Sequence, residues 1–137
     1  PLDCPFEQAT SQVAELKRQT PVIIVDMHAE ATSEKVAMGW HLDGRCTAVV
    51  GSHTHVQTAD EQILPQGTAY ITDVGMCGPW ESVIGVETPL VLERFKTGMP
   101  TKFSVAKGPL LFNAVLIEAD EKAGRAKRIT RVMRREQ

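Results

Sequence analysis

The sequence predicts an α/β fold with a mixed sheet, built around a β-α-β unit and completed by a C-terminal antiparallel hairpin. Two short apolar, β-branched runs, residues 22–25 and 48–50, flank a stretch with helical spacing. Together they span about 30 residues, the length of a β-α-β crossover, for which parallel pairing and right-handed connection are the default. Two later strand-like stretches, residues 110–118 and 127–133, are joined by a turn that ends in Gly124 and predict the hairpin.

The first half of the chain alternates helix and strand. After Pro5, apolar residues recur at helical spacing and predict an amphipathic helix over residues 5–19: Phe6, Ala9, Val13 and Leu16. Residues 22–27 form the first strand, with Ile and Val on both faces, as expected of a sheet covered on both sides. A second helix begins near Thr32 or Ser33 and ends at Asp43-Gly44, and residues 47–51 form the second strand.

The second half is richer in turns. Residues 61–64 and 68–72 flank Pro65-Gln66-Gly67, a connection typical of a hairpin with Gly in the left-handed conformation. Residues 73–80 predict a tight loop, and a short helix begins at Thr88 and closes at Gly98. A further strand-like segment covers residues 103–105. With no repeat, low-complexity segment or linker, residues 1–137 predict a single domain.

Composition restricts the classes of function. The chain has 137 residues, 42% hydrophobic and 23% charged, which is ordinary for a soluble globular protein. Its apolar runs are far shorter than the ~20 residues of a membrane helix, so we expect no membrane association and a cytoplasmic location. The net charge of −2 argues against general nucleic-acid binding, and the basic C-terminal stretch is interpreted as a solvated strand face or a fraying tail. The cysteines are widely spaced and predict free thiols in a reducing compartment: Cys4, Cys46 and Cys77.

Histidines follow both predicted parallel strands. His28 comes directly after the first strand, and His53 and His55 follow the second within Gly51-Ser52-His53-Thr54-His55. The carboxyl ends of neighbouring parallel strands meet at one edge, where open α/β sheets bind ligands. Imidazole pairs suit Zn, Fe, Mn, Ni or Cu, so we expect these histidines to hold one metal or two adjacent ones. His41, beside Trp40 on the second helix, is predicted to be a surface residue.

Polar residues near these histidines are candidates for supporting roles. Metal-bound His usually donates its other nitrogen to a carboxylate or carbonyl, which suits Asp26, Glu30 and Asp60. For Glu30 and Asp60, helix capping or solvation is an equally good interpretation. Thr54 and Gln57 are candidates for hydrogen bonds to a substrate.

Three segments carry a resemblance to a known family: residues 25–35, residues 49–60 and residues 68–76. They resemble the YmdB-like family of bacterial calcineurin-type metallophosphoesterases. The resemblance implies a four-layer αββα sandwich and a phosphodiesterase acting on a small-molecule nucleotide, such as a 2′,3′-cyclic nucleotide. It further implies two divalent ions, Fe or Mn, with Zn as an alternative; His28 and His53 would bind one ion and His55 the other.

The family pattern is only partly present. Its first half supplies an early Asp, a bridging Glu next to an Asn, and an Asn-His pair that binds metal and assists the leaving group. No matching motif occurs here, and the single Asn of the chain, Asn113, lies in a late strand. The resemblance therefore implies the C-terminal portion of such an enzyme, with no catalytic residue assigned and with association through exposed edges, including a homo-oligomer.

Two other functions are compatible with the residues. One is a noncatalytic metal- or nucleotide-binding module that works through a partner. The other is a mononuclear zinc hydrolase or cupin-like barrel with three His ligands, which needs mostly strands around the histidines. The helical pattern of residues 33–42 disfavours the barrel.

Overall fold

The computed structural model describes residues 2–136. Its elements follow one another as α1 (Pro5–Leu16), β1 (Ile24–His28), α2 (Thr32–His41), β2 (Ala48–Ser52), β3 (Gln62–Ile63), β4 (Ala69–Ile71), β5 (Gly78–Pro79), α3 (Thr88–Thr97), β6 (Leu110–Asp120) and β7 (Arg125–Arg135).

The first sheet is mixed, as predicted. Its strand order is β1-β2-β4-β3; β1 pairs with β2 and β2 with β4 in parallel, whereas β3 and β4 are antiparallel. The β-α-β unit is confirmed, since α2 connects the parallel strands β1 and β2. The hairpin between β3 and β4 is also confirmed, and Gly67 takes a φ of +93°, which glycine adopts readily.

The second sheet has the order β5-β6-β7 and is antiparallel. The long β6–β7 hairpin confirms the C-terminal prediction and extends it at both ends. Two features of this region differ from the sequence prediction. Gly78–Pro79, within the predicted loop, forms the short strand β5 against Leu110 and Leu111. Residues 103–105 form no strand, since only an isolated bridge joins Val105 to Val86 there.

The core lies between the first sheet and the helices α1 and α2. Its buried members come from both helices, the first sheet and the loops beside it: Val13, Ile23, Met38, Leu42, Cys46, Val49, Leu64 and Tyr70. Small side chains, Ala48, Ala69 and Ala126, pack between the two sheets with Ile117 and Ile129. None of the helices in residues 2–136 is long and apolar enough to cross a membrane.

The first strand departs from prediction in its burial. We expected β1 to be covered on both faces, but Ile23 is 4% exposed whereas Ile24 is 58% exposed. Val25 and Met27 pack against the core, so Ile24 and Asp26, which alternate with them, face the other way. The second sheet lies over β3 and β4, and β1, at the opposite edge of the first sheet, is left with one open face.

Candidate metal centre

The parallel register of β1 and β2 brings two histidines together. His28 is paired with Ser52 across the strands, so the segment that follows Ser52 begins beside His28. His53 Nδ1 lies 3.1 Å from His28 Nε2, and the two ring centroids are 5.0 Å apart at 77°. Both rings are exposed. Two imidazole nitrogens thus meet at the carboxyl ends of neighbouring strands, where the sequence predicted a ligand site.

Hydrogen bonds orient His28. The hydroxyl of Ser52 donates to Asp26 Oδ1 at 2.7 Å, and Ser52 Oγ lies 3.1 Å from His28 Nδ1. Because the hydroxyl proton is directed to Asp26, Ser52 Oγ accepts from Nδ1–H, which leaves His28 Nε2 unprotonated and able to accept from His53 Nδ1. Asp26 therefore acts on His28 through Ser52. Glu30, the other carboxylate beside His28, is an exposed residue just before α2.

His55 has a different partner. Its Nδ1 lies 2.9 Å from the carbonyl oxygen of Ile84; because a carbonyl only accepts, Nδ1 carries the proton and Nε2 is available. Within residues 2–136, no three His, Cys, Asp or Glu side chains form a group that could hold a metal ion. The candidate centre therefore comprises two separate features: the His28–His53 pair, and His55, whose ring the carbonyl of Ile84 orients.

The backbone of the His-x-His segment is unusual. His53 has a φ of +124° and His55 a φ of +68°, conformations that non-glycine residues rarely adopt. At Gly51, an added Cβ would lie 1.7 Å from the carbonyl oxygen of Thr72 and 2.8 Å from Lys35 Cδ. The segment is thus seated on α2 and on the residue that follows β4, with no space for a side chain at residue 51.

Two residues that sequence reasoning missed support this segment. Lys35 on α2 is 0% exposed and forms an ion pair of 3.1 Å with Asp73, which is 1% exposed. Burial disfavours the charged form of Asp73, but hydrogen bonds from Thr54 and Gly75 and from Lys35 outweigh it, so the pKa of Asp73 is lowered. A signal was present: Lys35 shares the buried face of α2 with Met38 and Leu42, at i, i+3 and i+7.

The other predicted polar residues have partners within the fold. Gln57 Nε2 donates to the carbonyl oxygens of Val74 at 3.2 Å and Ala114 at 3.0 Å, so it joins the loop to both halves of the structure. Asp60 accepts hydrogen bonds from the amide and the hydroxyl of Thr72. Burial opposes its ionisation, yet hydrogen bonds from Thr58 and Thr72 lower its pKa. The hydroxyl of Thr54 bonds to Val56.

The prediction that His41 is a surface residue was wrong. His41 is half-buried, with Nε2 2.7 Å from Thr10 Oγ1 and 3.2 Å from the carbonyl oxygen of Phe6. Its ring also meets that of Phe6 edge to face. His41 therefore connects α2 to α1, a contact between elements distant in sequence that local pattern does not reveal.

Known proteins are similar to this chain in sequence. The chain is 52% identical over 133 residues to the 2′,3′-cyclic-nucleotide 2′-phosphodiesterase of Bacillus subtilis, covering 97% of this chain and 50% of that protein. A putative phosphatase/phosphodiesterase of Mycoplasma pneumoniae is 48% identical over 106 residues, covering 77% of this chain and 38% of the relative. The chain thus spans half or less of the length of these relatives.

Solved structures agree with this relationship. A hypothetical protein from Thermus thermophilus superimposes with a TM-score of 0.92 at 44% identity, covering 100% of this chain and 53% of that one. A phosphatase from Mycoplasma pneumoniae superimposes with a TM-score of 0.89 at 41% identity, covering 96% of this chain and 47% of that one. The family model described as YmdB-like protein matches residues 1–132. With that match over nearly all of its length, the chain belongs to the YmdB-like family.

Proposed function

We propose that this chain supplies part of the metal site of a phosphodiesterase that hydrolyses 2′,3′-cyclic nucleotides or related phosphodiesters. His28 and His53 bind one ion through the nitrogens that face each other, and His55 binds the second through Nε2. The observation that carries the proposal is the 3.1 Å approach of His28 Nε2 and His53 Nδ1 at adjacent strand ends. The printed activity of the Bacillus subtilis relative supports the substrate class.

The donor set fits divalent transition metals. Neutral imidazole suits Fe, Mn and Zn, and a metal-binding His usually donates its other nitrogen to a carboxylate or carbonyl. The carbonyl of Ile84 provides this contact to His55, and Ser52 connects His28 to the carboxylate of Asp26. When bound, a pair of such ions lowers the pKa of a water molecule and offsets the charge that develops on the phosphate. The chain's own task is to fix the imidazoles and their tautomers.

We further propose that the site is completed by ligands outside residues 1–137, in one larger metallophosphoesterase domain of which this chain is the C-terminal part. The His28–His53 pair offers two nitrogens, whereas zinc sites, for example, use three or four protein ligands. By itself the chain should therefore bind metal weakly and hydrolyse phosphodiesters poorly or not at all. Purified 137-residue chain with robust Mn-dependent turnover of a 2′,3′-cyclic nucleotide would contradict this.

Of the two alternative functions considered from the sequence, the fold is incompatible with the cupin-like barrel. A cupin-like barrel with three His ligands requires strands around the histidines, but α2 follows His28 directly and the sheets are open. The noncatalytic metal- or nucleotide-binding module remains the alternative to the enzyme. Restoring the family's missing first half separates them, because only the enzyme then gains metal-dependent phosphodiesterase activity.

The ligand assignment is tested by metal binding in single variants. After equilibration with Mn²⁺, elemental analysis and titration should show that His53→Ala weakens binding at least tenfold, because one of two nitrogens on that ion is lost. His41→Gln is the matched control, since it removes an imidazole far along α2 and keeps a hydrogen-bonding side chain. Equal metal content in His53→Ala and the unmodified chain would refute the assignment.

A further inference from the structure

We propose that the buried Lys35–Asp73 ion pair is a positioning device for His53. It holds the two peptide groups that flank this residue and so keeps its ring beside His28. The role in metal binding rests on the function proposed above, whereas the clamp itself is a property of the metal-free fold. Lys35 and Asp73 are positioning residues, because they act through the backbone of the His-x-His segment.

The contacts of the pair define the clamp. Lys35 Nζ lies 3.1 Å from Asp73 Oδ2 and donates to the carbonyl oxygen of Ser52 at 3.3 Å. The amide of Thr54 donates to the same Asp73 oxygen at 2.9 Å. The Ser52 carbonyl belongs to the peptide group entering His53, and the Thr54 amide to the one leaving it. One ion pair thus fixes both sides of a single residue.

The backbone of His53 explains why such a clamp is needed. Its φ of +124° lies in a region that is unfavourable for a residue with a side chain. Such conformations persist only where surrounding contacts over-determine them, and they cluster at functional sites. A strand continuing beyond Ser52 in ordinary extended geometry would direct the next side chain differently. The departure from that geometry sets the direction of the His53 ring.

The surroundings are built to admit the pair. The lysine stem passes under Gly51, where a Cβ would lie 2.8 Å from Lys35 Cδ. The second oxygen of Asp73 accepts from the amide of Gly75 at 2.9 Å, so both carboxylate oxygens have partners. Burying two charges is costly, and apolar residues of similar volume often serve stability equally well. The contacts to Ser52 and Thr54 are what an apolar pair cannot provide.

Substitution of His53 by glycine or alanine measures the backbone strain at residue 53 in the absence of metal. In the otherwise unmodified chain, we expect His53→Ala to have an unfolding equilibrium constant about fivefold larger than His53→Gly, because the steric strain that alanine has at positive φ, and glycine lacks, exceeds the extra conformational entropy that glycine loses on folding. Combined with Lys35→Met, the two should differ by less than about twofold, since the released segment relaxes. Urea unfolding at equilibrium provides the constants. Equal unfolding constants of His53→Ala and His53→Gly in the unmodified background would overturn the clamp. So would a fivefold difference that persists when Lys35→Met is added.

A matched control separates the clamp from general destabilisation. Val13→Ala truncates the core on α1, away from the His-x-His segment, and should preserve the fivefold difference at residue 53. Asp73→Asn is the second clamp variant, because it removes the charge while an amide oxygen can still accept from Thr54; it should reduce the difference between alanine and glycine at residue 53 only in part.

In the unmodified chain, the Thr54 amide should exchange with solvent as slowly as core-strand amides, and fast exchange would also overturn the proposal.

A direct readout of position completes the test. The nuclear Overhauser effect between the rings of His28 and His53 should be present in the metal-free chain and in Val13→Ala, and lost in Lys35→Met. A preserved ring contact in folded Lys35→Met would overturn the clamp and leave the metal proposal standing. Conversely, a chain that binds no Mn²⁺ even after the family's missing first half is restored would refute the proposed function without touching these metal-free results.

Discussion

At the scale of single residues, the partner of each histidine decides which nitrogen can act. Ser52 and Ile84 occupy Nδ1 of His28 and of His55, so both present Nε2. His53 instead offers Nδ1 to its neighbour. A site of this kind therefore depends on a hydroxyl and a carbonyl that orient the imidazoles without being metal ligands themselves. Removing the Ser52 hydroxyl would free the His28 ring to rotate and exchange tautomers.

The cysteines differ in reactivity for the same reason of environment. Cys4 and Cys77 are exposed, whereas Cys46 is buried, and burial raises its pKa to about 11. The thiolate is the reactive form. Together with restricted access, this pKa should make alkylation of Cys46 by iodoacetamide at pH 8 at least ~100-fold slower than that of the exposed thiols.

Peptide mapping by mass spectrometry after timed labelling gives the three rates in one experiment. In concentrated urea all three thiols should react alike, which controls for intrinsic reactivity. Native labelling of Cys46 at the rate of Cys77 would show that its surroundings open far more readily than its burial implies. The sequence prediction of free thiols is confirmed within residues 2–136.

The histidine spacing was sufficient to predict that His28 and His53 lie together, but the residues that support them were not predictable in the same way. His28, His53 and His55 follow apolar strands, a local pattern. The spacing of Lys35 from Met38 and Leu42 places it on the buried face of α2, but only the room that Gly51 leaves for its side chain shows how a lysine fits there. That fit involves α2, β2 and the loop after β4 at once. Buried charge pairs of this kind depend on tertiary contacts that no short window of sequence contains.

At the scale of elements, α1 depends on a polar contact as well as on its apolar face. His41 bonds to Thr10 and to the carbonyl oxygen of Phe6. We expect His41→Ala to lower the free energy of unfolding by about 1–2 kcal/mol, from the lost hydrogen bonds and ring packing. Urea unfolding followed by circular dichroism measures this change. Glu7→Ala, an exposed substitution on α1, should stay within about 0.5 kcal/mol of the unmodified chain; equal effects of Glu7→Ala and His41→Ala would refute the link.

Elements with their own periodicity were predictable, and those defined by a partner were not. The β-α-β unit and the C-terminal hairpin follow from apolar patterns that extend over whole elements. By contrast, Gly78–Pro79 is a strand only because Leu110 and Leu111 lie beside it. The burial of Ile24 was mispredicted for a related reason. Whether a strand face is covered depends on where the second sheet lies, and that sheet begins far along the chain.

At the scale of the whole molecule, the two sheets overlap only in part. They approach closely through Ala48, Ala69 and Ala126. The second sheet lies over β3 and β4, which leaves Ile24 of the edge strand β1 open at 58% exposure. On β6, Phe112 and Leu116 are 52% and 58% exposed, on the face opposite Ile117. Open edges and apolar faces of this kind favour association.

We therefore expect the chain to self-associate, and β1 to contribute to the contact. In size-exclusion chromatography with light scattering, the chain should exceed the 15.0 kDa of a monomer, increasingly so at higher concentration. Ile24→Lys should shift it towards the monomer, because an edge-strand lysine opposes strand pairing and the exposed site tolerates its stem. Phe95→Lys, at a 77% exposed residue on α3, controls for the added charge. A monomeric unmodified chain, or equal shifts from both lysines, would place the contact elsewhere than β1.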